Sequence, residues 1–277
     1  MATNTHLNRI VQGLWIGSQL SQIEVACISS YLKQGHEFHL YAYSSFPNLP
    51  KGAVWKDANE IIPEQDIFTY EKGPGKGSYA AFANLFRYKL LFEKGGWWSD
   101  MDFICLKPLP KPSRMFIAAE WKTQPSRWSG AIRTRLTQLE RLGWRLKIIK
   151  SNINFSKPCN GLIFCNPHNP ILEQAYTIAK SQSTANLSWG DTGPNLINQL
   201  LTETDSDKYI IGLPELFLPI GGYQVNIFFD SCSPTILNNS YTVHIYNELW
   251  RRMGKSKEGP FPAGSLIEQI LQDVIDC

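Results

Sequence analysis

The sequence predicts an α/β fold built on a mostly parallel sheet flanked by helices. Three observations carry that expectation. A short apolar run, Ile10 to Ile16, is followed by an amphipathic stretch and then a second apolar run, Phe38 to Tyr43. Such a β-α-β opening joins parallel strands through a covering helix. Later segments keep alternating between strand-length apolar runs and stretches with helical periodicity, too regularly for an all-β or all-α chain. Finally, 43% of the 277 residues are apolar and 18% charged, which excludes disorder for most of the length.

The elements follow in chain order. The first strand ends at Gly17, and Ser21-Gln-Ile-Glu24 has the form of a capping box. It opens a helix with Ile23, Cys27, Ile28, Tyr31 and Leu32 on one side, stopping near Gly35. The glycine-rich stretch Lys72 to Gly77 is a loop by composition, without the spacing of a phosphate-binding P-loop. A second helix is expected from Ser78 to Lys94, where Phe82, Phe86 and Leu90 repeat as a core-facing stripe and Gly95-Gly96 supplies the stop. Asn84 and Arg87, three apart, are neighbours on its surface. Phe103 to Leu106 is a short apolar run, and further strands are expected at Met115 to Ala119, Leu162 to Cys165 and Val243 to Tyr246. Helices are expected at Ile171 to Gln182, at Pro194 to Thr202 and from the capping box Ser265-Leu-Ile-Glu268. The very apolar stretch Ile210 to Tyr223, broken by prolines and glycines, reads as buried strand and turn.

Composition removes several function classes. Lys and Arg number 27 against 24 Asp and Glu, a net charge of +3 that argues against gripping nucleic acid by charge. No run of about 18 apolar residues exists, so no helix is expected to span a membrane. The first residues lack a basic region followed by an apolar stretch, so no signal peptide is read and a cytoplasmic location is expected. The six cysteines, at positions 27, 105, 159, 165, 232 and 277, include no CxxC pair and are expected to be reduced, mostly buried thiols. Nine Trp, eleven Tyr and fourteen Phe suit a core and equally suit stacking surfaces for bases or sugars.

The chemistry concentrates in Gly95 to Leu109. Asp100 and Asp102, at i and i+2, can both reach a hard divalent cation. Mg²⁺ and Mn²⁺ prefer oxygen ligands and take few protein carboxylates when a diphosphate completes the shell. At the end of a strand in an open α/β sheet, such a pair sits where ligands bind. Taken by itself, Asp-x-Asp occurs so often by chance that spacing alone favours a solvated loop with two acids.

The run Ala80 to Pro108 resembles the sugar-transferase region bearing the Asp-x-Asp motif in glycosyltransferase family 32. The shared pattern reads here as Asn84-Leu-Phe-Arg87, Gly95-Gly96, Trp97-Trp98, Asp100-Met-Asp102 and Lys107-Pro108. The resemblance implies a GT-A type fold, Rossmann-like, in a single catalytic domain over residues 1–277. Residues 1–110 would form the nucleotide-sugar-binding half, and residues 111–277 the acceptor-binding half and a C-terminal lid. Asn84 stands where relatives usually carry an aspartate that contacts the ribose; an amide still accepts from a hydroxyl but removes a charge. Arg87 is implied to contact phosphate or sugar and to pair with the acids.

Weaker similarities extend to both ends of the chain. Ile10 to Gly17 looks like the family's first strand, with Trp15 matching a base-stacking tryptophan and Gln12 placed where the strand meets the nucleotide. Trp189-Gly-Asp-Thr-Gly-Pro194 is similar to a segment bordering sugar and acceptor. Asp191 is there either a catalytic or sugar-binding group or a helix N-cap. His244 to Trp250 is similar to a C-terminal His…Trp segment. This implies His244 as a metal ligand beside Asp102 and Asp100, and Trp250 as a donor to phosphate, with Leu249 in place of the usual Ser. Arg251 to Lys257 is a solvated loop or a lid neutralising the leaving diphosphate.

The implied activity is transfer of a sugar, with retention, from a nucleotide-diphosphate sugar to a hydroxyl acceptor, assisted by Mn²⁺ or Mg²⁺. Catalysis would rest on Asp100, Asp102, Arg87 and Asp191. A UDP-sugar is favoured over a GDP-sugar as donor, and a glycan or lipid-linked acceptor in surface polysaccharide or lipopolysaccharide synthesis is expected. Peripheral contact at the inner membrane face fits that role. Two alternatives stay open: a nucleotide-sugar pyrophosphorylase, and a non-catalytic carbohydrate-binding module whose Asp pair binds calcium.

Overall fold

The computed structural model of the chain describes residues 6–121 and 156–275. The opening unit forms as the sequence leads one to expect. β1 (Ile10–Trp15) and β2 (Glu37–Ala42) pair in parallel and are joined by α1 (Gln22–Lys33). The helix begins where the Ser21 N–H donates to Glu24 Oε2 at 2.8 Å. It is followed by Gly35 at φ 78°, a left-handed conformation that glycine adopts without strain. A short outer strand, β3 (Val54–Asp57), pairs in parallel with β2. No sequence signal anticipated it, because its four residues are half-buried or exposed and do not alternate apolar with polar.

The α2 helix (Ala80–Lys94) buries Phe82, Phe86 and Leu90 completely, as the stripe requires. Gly95 leaves the helix at φ 66°, and a Cβ there would lie 2.6 Å from the Pro167 ring. The chain then enters β4 (Gly96–Ser99) at once, where the sequence suggested only a stop. All four residues are buried, so β4 shows no alternation to read. Trp97 packs with Phe116 and Phe164, and Trp98 with Phe86.

The other strands are β5 (Phe103–Cys105), β6 (Met115–Trp121), β7 (Ser156–Cys165), β8 (Tyr209–Gly212) and β9 (Thr242–His244). Seven of the nine strands among the described residues form one sheet in the order β3-β2-β1-β4-β7-β6-β8, antiparallel at β4–β7 and β7–β6 and parallel at every other junction. This is the mostly parallel, Rossmann-like sheet expected for a GT-A type fold. β5 and β9 pair separately as an antiparallel ribbon.

Helices cover both faces of the sheet. On one face α2 packs with α3 (Pro170–Ser181) and α4 (Pro194–Thr202) over a core that includes Phe82, Trp98 and Ile163. On the other, α1 packs with α7 (Leu266–Ile275) over Phe38, Trp97 and Phe103. Two short helices, α5 (Pro214–Phe217) and α6 (Asn247–Arg252), follow β8 and β9. The Ile210 to Tyr223 stretch is thus strand, one helical turn and loop.

Among the described residues no helix is long and apolar enough to cross a membrane. Cys27, Cys105, Cys159 and Cys165 are buried free thiols and Cys232 is half-buried. Burial pushes the four buried thiols up from their ordinary range, so they are neutral. Residues 1–5, which open the stretch read for a signal peptide, and Cys277 lie outside the described residues.

Candidate active site

The Asp pair lies where β4 ends. Ser99 closes the strand, the chain turns through Asp100 and Met101, and β5 starts at Phe103. Facing this turn, β7 carries an irregularity. Its pairing with β6 jumps from Ile163 opposite Ile117 to Cys159 opposite Ala118, so residues 160–162 have no partner on β6. A bulge of this kind re-aims the groups it frees. The Gly161 carbonyl accepts the Asp100 N–H at 2.8 Å, and the Asn160 carbonyl accepts from Arg87 Nη1.

Around this turn opens a cleft of about 600 Å³, lined in part by Asn84, Arg87, Asp100, Asp102, Asn160 and His244. Arg87, buried at the back, donates from Nη2 to Asp100 Oδ1 at 2.8 Å, and its guanidinium lies 5.0 Å from the Trp98 ring centre. Trp98 Nε1 donates to the same oxygen, also at 2.8 Å. Asp100 Oδ1 is therefore fully engaged. Burial lifts the Asp100 carboxyl above its ordinary value, Arg87 opposes the rise, and the Asp102 charge adds to it.

Asp102 is held from the other end of the chain. Its Oδ2 lies 3.2 Å from His244 Nε2 and accepts the Asn247 N–H at 2.9 Å. Burial works to raise its pKa, but the His244 charge and these hydrogen bonds prevail and hold it below the ordinary value. Burial works to lower His244, and the Asp102 charge reverses that and leaves it raised. The imidazole stacks on Phe103 at 4.3 Å and packs against Tyr246 at 4.0 Å. Tyr246 sits in the left-handed region at φ 63°, ψ 52°, which a bulky residue adopts only under local constraint. That conformation turns the next N–H, of Asn247, toward Asp102.

A polar row continues from this centre. Asn160 Nδ2 donates to Asn84 Oδ1 at 2.8 Å, and Asn84 Nδ2 donates to Thr192 Oγ1 at 3.2 Å. Asn84 is thus more than an aspartate lacking its charge, because its amide bridges a second amide and a hydroxyl. At the mouth, Glu120 pairs with Lys157 at 2.9 Å, and the Arg252 guanidinium lies 4.6 Å from the Trp189 ring centre.

The structure brings Asp100, Asp102, Arg87, Asn84 and His244 together in one cleft. Four other sequence-derived site residues do not line that cleft. Gln12 is buried on β1 and donates to the Gly95 carbonyl at 2.7 Å, so its amide ties the sheet to the end of α2 instead of meeting a nucleotide. Asp191 does not line the cleft, since its Oδ2 accepts the Ser188 N–H at 2.8 Å inside a turn. Trp250 is fully buried among Phe228, Phe229 and Phe261, and its indole N–H has no partner among the described residues. Trp15 donates to Gln19 O, and Lys257 Nζ lies 4.8 Å from its ring centre.

Three of the four cations in the run after Trp250 are ion-paired, two of them sharing one carboxylate. Arg251 and Arg252 both pair with Glu248, and Lys257 pairs with Glu24. Sequence reasoning missed Asn160, Glu120, Tyr246 and Asn247. Only Asn160 had a readable signal: Asn160-Gly161 interrupts an apolar run, as glycine does at a bulge.

Among the described residues, no three His, Cys, Asp or Glu side chains already form a metal-binding group. The donor set still fits a hard divalent cation. Both hydrogen bonds to the Asp102 carboxylate fall on Oδ2 and those to Asp100 fall on Oδ1, which leaves Asp102 Oδ1 and Asp100 Oδ2 for a cation. His244, implied by the sequence as a third ligand, has its Nε2 committed to Asp102 and its Nδ1 buried, so it braces a ligand instead of being one. Two carboxylate oxygens suit Mg²⁺ or Mn²⁺ with a diphosphate and water in the remaining positions.

Residues 25–128 match the family model described as a glycosyltransferase sugar-binding region containing the DXD motif. No curated protein matches the chain. Among solved structures, PaToxG Glycosyltransferase aligns over 98% of this chain and 92% of its own, at 12% identity and a TM-score of 0.43. A cysteine-to-serine double mutant of a transferase aligns over 72% of this chain and 87% of its own, at 11% identity and a TM-score of 0.42. The family match runs from within α1 through α2 and the Asp pair, and it supports a sugar-transferring enzyme.

Proposed function

We propose that the protein transfers a sugar from a nucleotide-diphosphate sugar to a hydroxyl acceptor, with retention of configuration and with a divalent cation. The observation that carries this reading is the meeting of Asp100, Asp102, Arg87 and His244 in one cleft. Asp102 and Asp100 would hold Mn²⁺ or Mg²⁺, with His244 bracing Asp102, and the cation would supply positive charge for the leaving diphosphate.

The chain's own groups do the rest. Arg87 fixes Asp100 and brings a second positive charge to the site where negative charge develops. The Asn84–Asn160–Thr192 row offers neutral donors and acceptors suited to ribose or sugar hydroxyls. The anomeric bond to the diphosphate breaks as the acceptor oxygen attacks from the same face, and the hydroxyl proton passes to a phosphate oxygen. Engagement of Asp191 in its own turn, and of Glu120 and Glu248 in ion pairs, favours this route over a covalent sugar adduct.

The finer assignments belong to the same reading. They are kinship with family 32, a UDP-sugar donor, residues 1–110 as the donor half with the acceptor half beyond, and a glycan or lipid-linked acceptor in surface polysaccharide synthesis at the cytoplasmic membrane face. The test is turnover. Purified protein with Mn²⁺ and a panel of UDP- and GDP-sugars should slowly hydrolyse one donor without acceptor, and Asp100→Ala or Asp102→Ala should reduce that rate about 100-fold or more. Unchanged hydrolysis in both variants rules the assignment out. Absence of turnover together with calcium-dependent sugar binding selects the binding module instead.

A further inference from the structure

Glu24 lies in the first turn of α1 and is fully buried. Capping does not require this, since a capping box accepts glutamine as readily as glutamate and needs no burial. The reason for a buried charge lies elsewhere. While Oε2 accepts the Ser21 N–H, Oε1 accepts from Asn247 Nδ2 at 3.0 Å and from Lys257 Nζ at 2.6 Å. Both donors come from the far end of the chain. Asn247 is also the residue whose backbone N–H fixes Asp102 Oδ2. Its own Oδ1 is buried and has no partner among the described residues, so the Asn247 side chain is anchored through Glu24. The residues after Lys257 reinforce the contact, with Gln22 N–H donating to Glu258 and Gly259 N–H donating to the Gln22 side chain.

We propose that Glu24 is a positioning residue for the Asp102–His244 pair. It acts through Asn247, whose side chain it grips while the Asn247 N–H sets the orientation of the Asp102 carboxylate. Lys257 supplies the charge that makes a buried carboxylate tolerable in this place, and the same lysine is thereby held across Trp15. A neutral glutamine at this position satisfies the α1 cap but releases Lys257 and weakens the grip on Asn247, because bonds to a charged acceptor are the stronger ones. Asp102 then loses its fixed orientation while α1 stays folded. This inference rests on the sugar-transfer reading of the cleft.

The experiment measures Mn²⁺ binding and not turnover. Mn²⁺ is titrated into the intact chain in the presence of UDP, and free Mn²⁺ is followed by its electron paramagnetic resonance signal. Glu24→Gln is expected to weaken Mn²⁺ binding about tenfold, the scale seen when a group supporting a metal ligand is removed. Asn247→Ala should do the same, and the double variant should be no worse than either single one. Unchanged Mn²⁺ affinity in Glu24→Gln overturns the proposal whatever happens to Tm, and so do two effects that simply add. If Glu24→Gln does not fold, Asn247→Ala decides alone, and unaltered binding overturns the proposal. Failure of wild-type protein to bind Mn²⁺ with UDP at all overturns the metal reading and this inference together, an outcome distinct from a variant that matches a wild type that does bind.

Discussion

His244 Nε2 lies 3.2 Å from Asp102 Oδ2, joining positions 142 residues apart in the chain. The two groups shift in opposite directions, Asp102 down and His244 up. A depressed carboxyl contributes stability that is present above about pH 3.9 and lost as pH falls through its folded value. A raised imidazole contributes stability that is complete below about pH 6.5 and lost as pH rises through its folded value. The pair therefore stabilises most between about pH 4 and 6.5. In melts without divalent cation, the Tm advantage of wild type over His244→Gln should be largest near pH 5 to 6 and shrink toward pH 9. An advantage that widens above pH 7 contradicts the assignment.

Arg87 joins the Asn160 carbonyl to Asp100 with one planar group. Arg87→Met should destabilise the protein by about 2 kcal/mol in urea unfolding, the scale for losing hydrogen bonds to a charged partner, and should also abolish donor hydrolysis. Arg87→Lys should recover little of either, because an ammonium cannot reproduce the two-pronged geometry. Full recovery by lysine would show that charge alone matters here.

Gly161 is tight against the Asp100–Asp102 turn. A Cβ there would lie 2.8 Å from Phe103 Cε2 and 2.9 Å from Asp100 Oδ2. Gly161→Ala should move the Asp100 carboxylate and reduce kcat by about tenfold or more, since small misplacements of reacting groups are expensive. Donor KM and the secondary-structure spectrum should change little. Wild-type kcat in this variant would mean that Asp100 needs no fixed position.

Trp250 separates core from ligand site. Because it is fully buried, Trp250→Ala should cost about 3–5 kcal/mol. Trp250→Phe keeps most of the packing and should leave donor KM unchanged. If Trp250→Phe instead raises donor KM at constant Tm, the indole N–H reaches the ligand and the placement of Trp250 outside the site is wrong.

Local signals served the fold well wherever an element was amphipathic. The Ser21 to Glu24 cap, the Phe82–Phe86–Leu90 stripe and the Pro194 helix start all lie where their residues indicated. β3 and β4 escaped notice for opposite reasons, one too exposed and the other too buried for alternation to register. At the site, the Asp pair and the helix residues Asn84 and Arg87 were legible because they are close in sequence. Asn160, Tyr246 and Asn247 were not, because their roles come from a register jump, a left-handed backbone and a contact across 145 residues. Gln12 and Trp250 show the reverse limit. A matching residue type at a matching position says nothing of which way the side chain is packed.

The β5–β9 ribbon bears on the order in which the molecule matures during synthesis. Phe103 pairs with His244 and Cys105 with Thr242, so a growing chain can complete the β1–α1–β2 unit and α2 long before it can complete this ribbon. Contacts so distant in sequence form late, because the loop between them must close first. Until residues 242–247 are made, Asp102 stands next to Asp100 without its imidazole or amide partners. A nascent chain stalled before residue 242 should therefore carry all seven strands of the sheet and the Arg87–Asp100 contact, with Asp102 still lacking the groups that orient it.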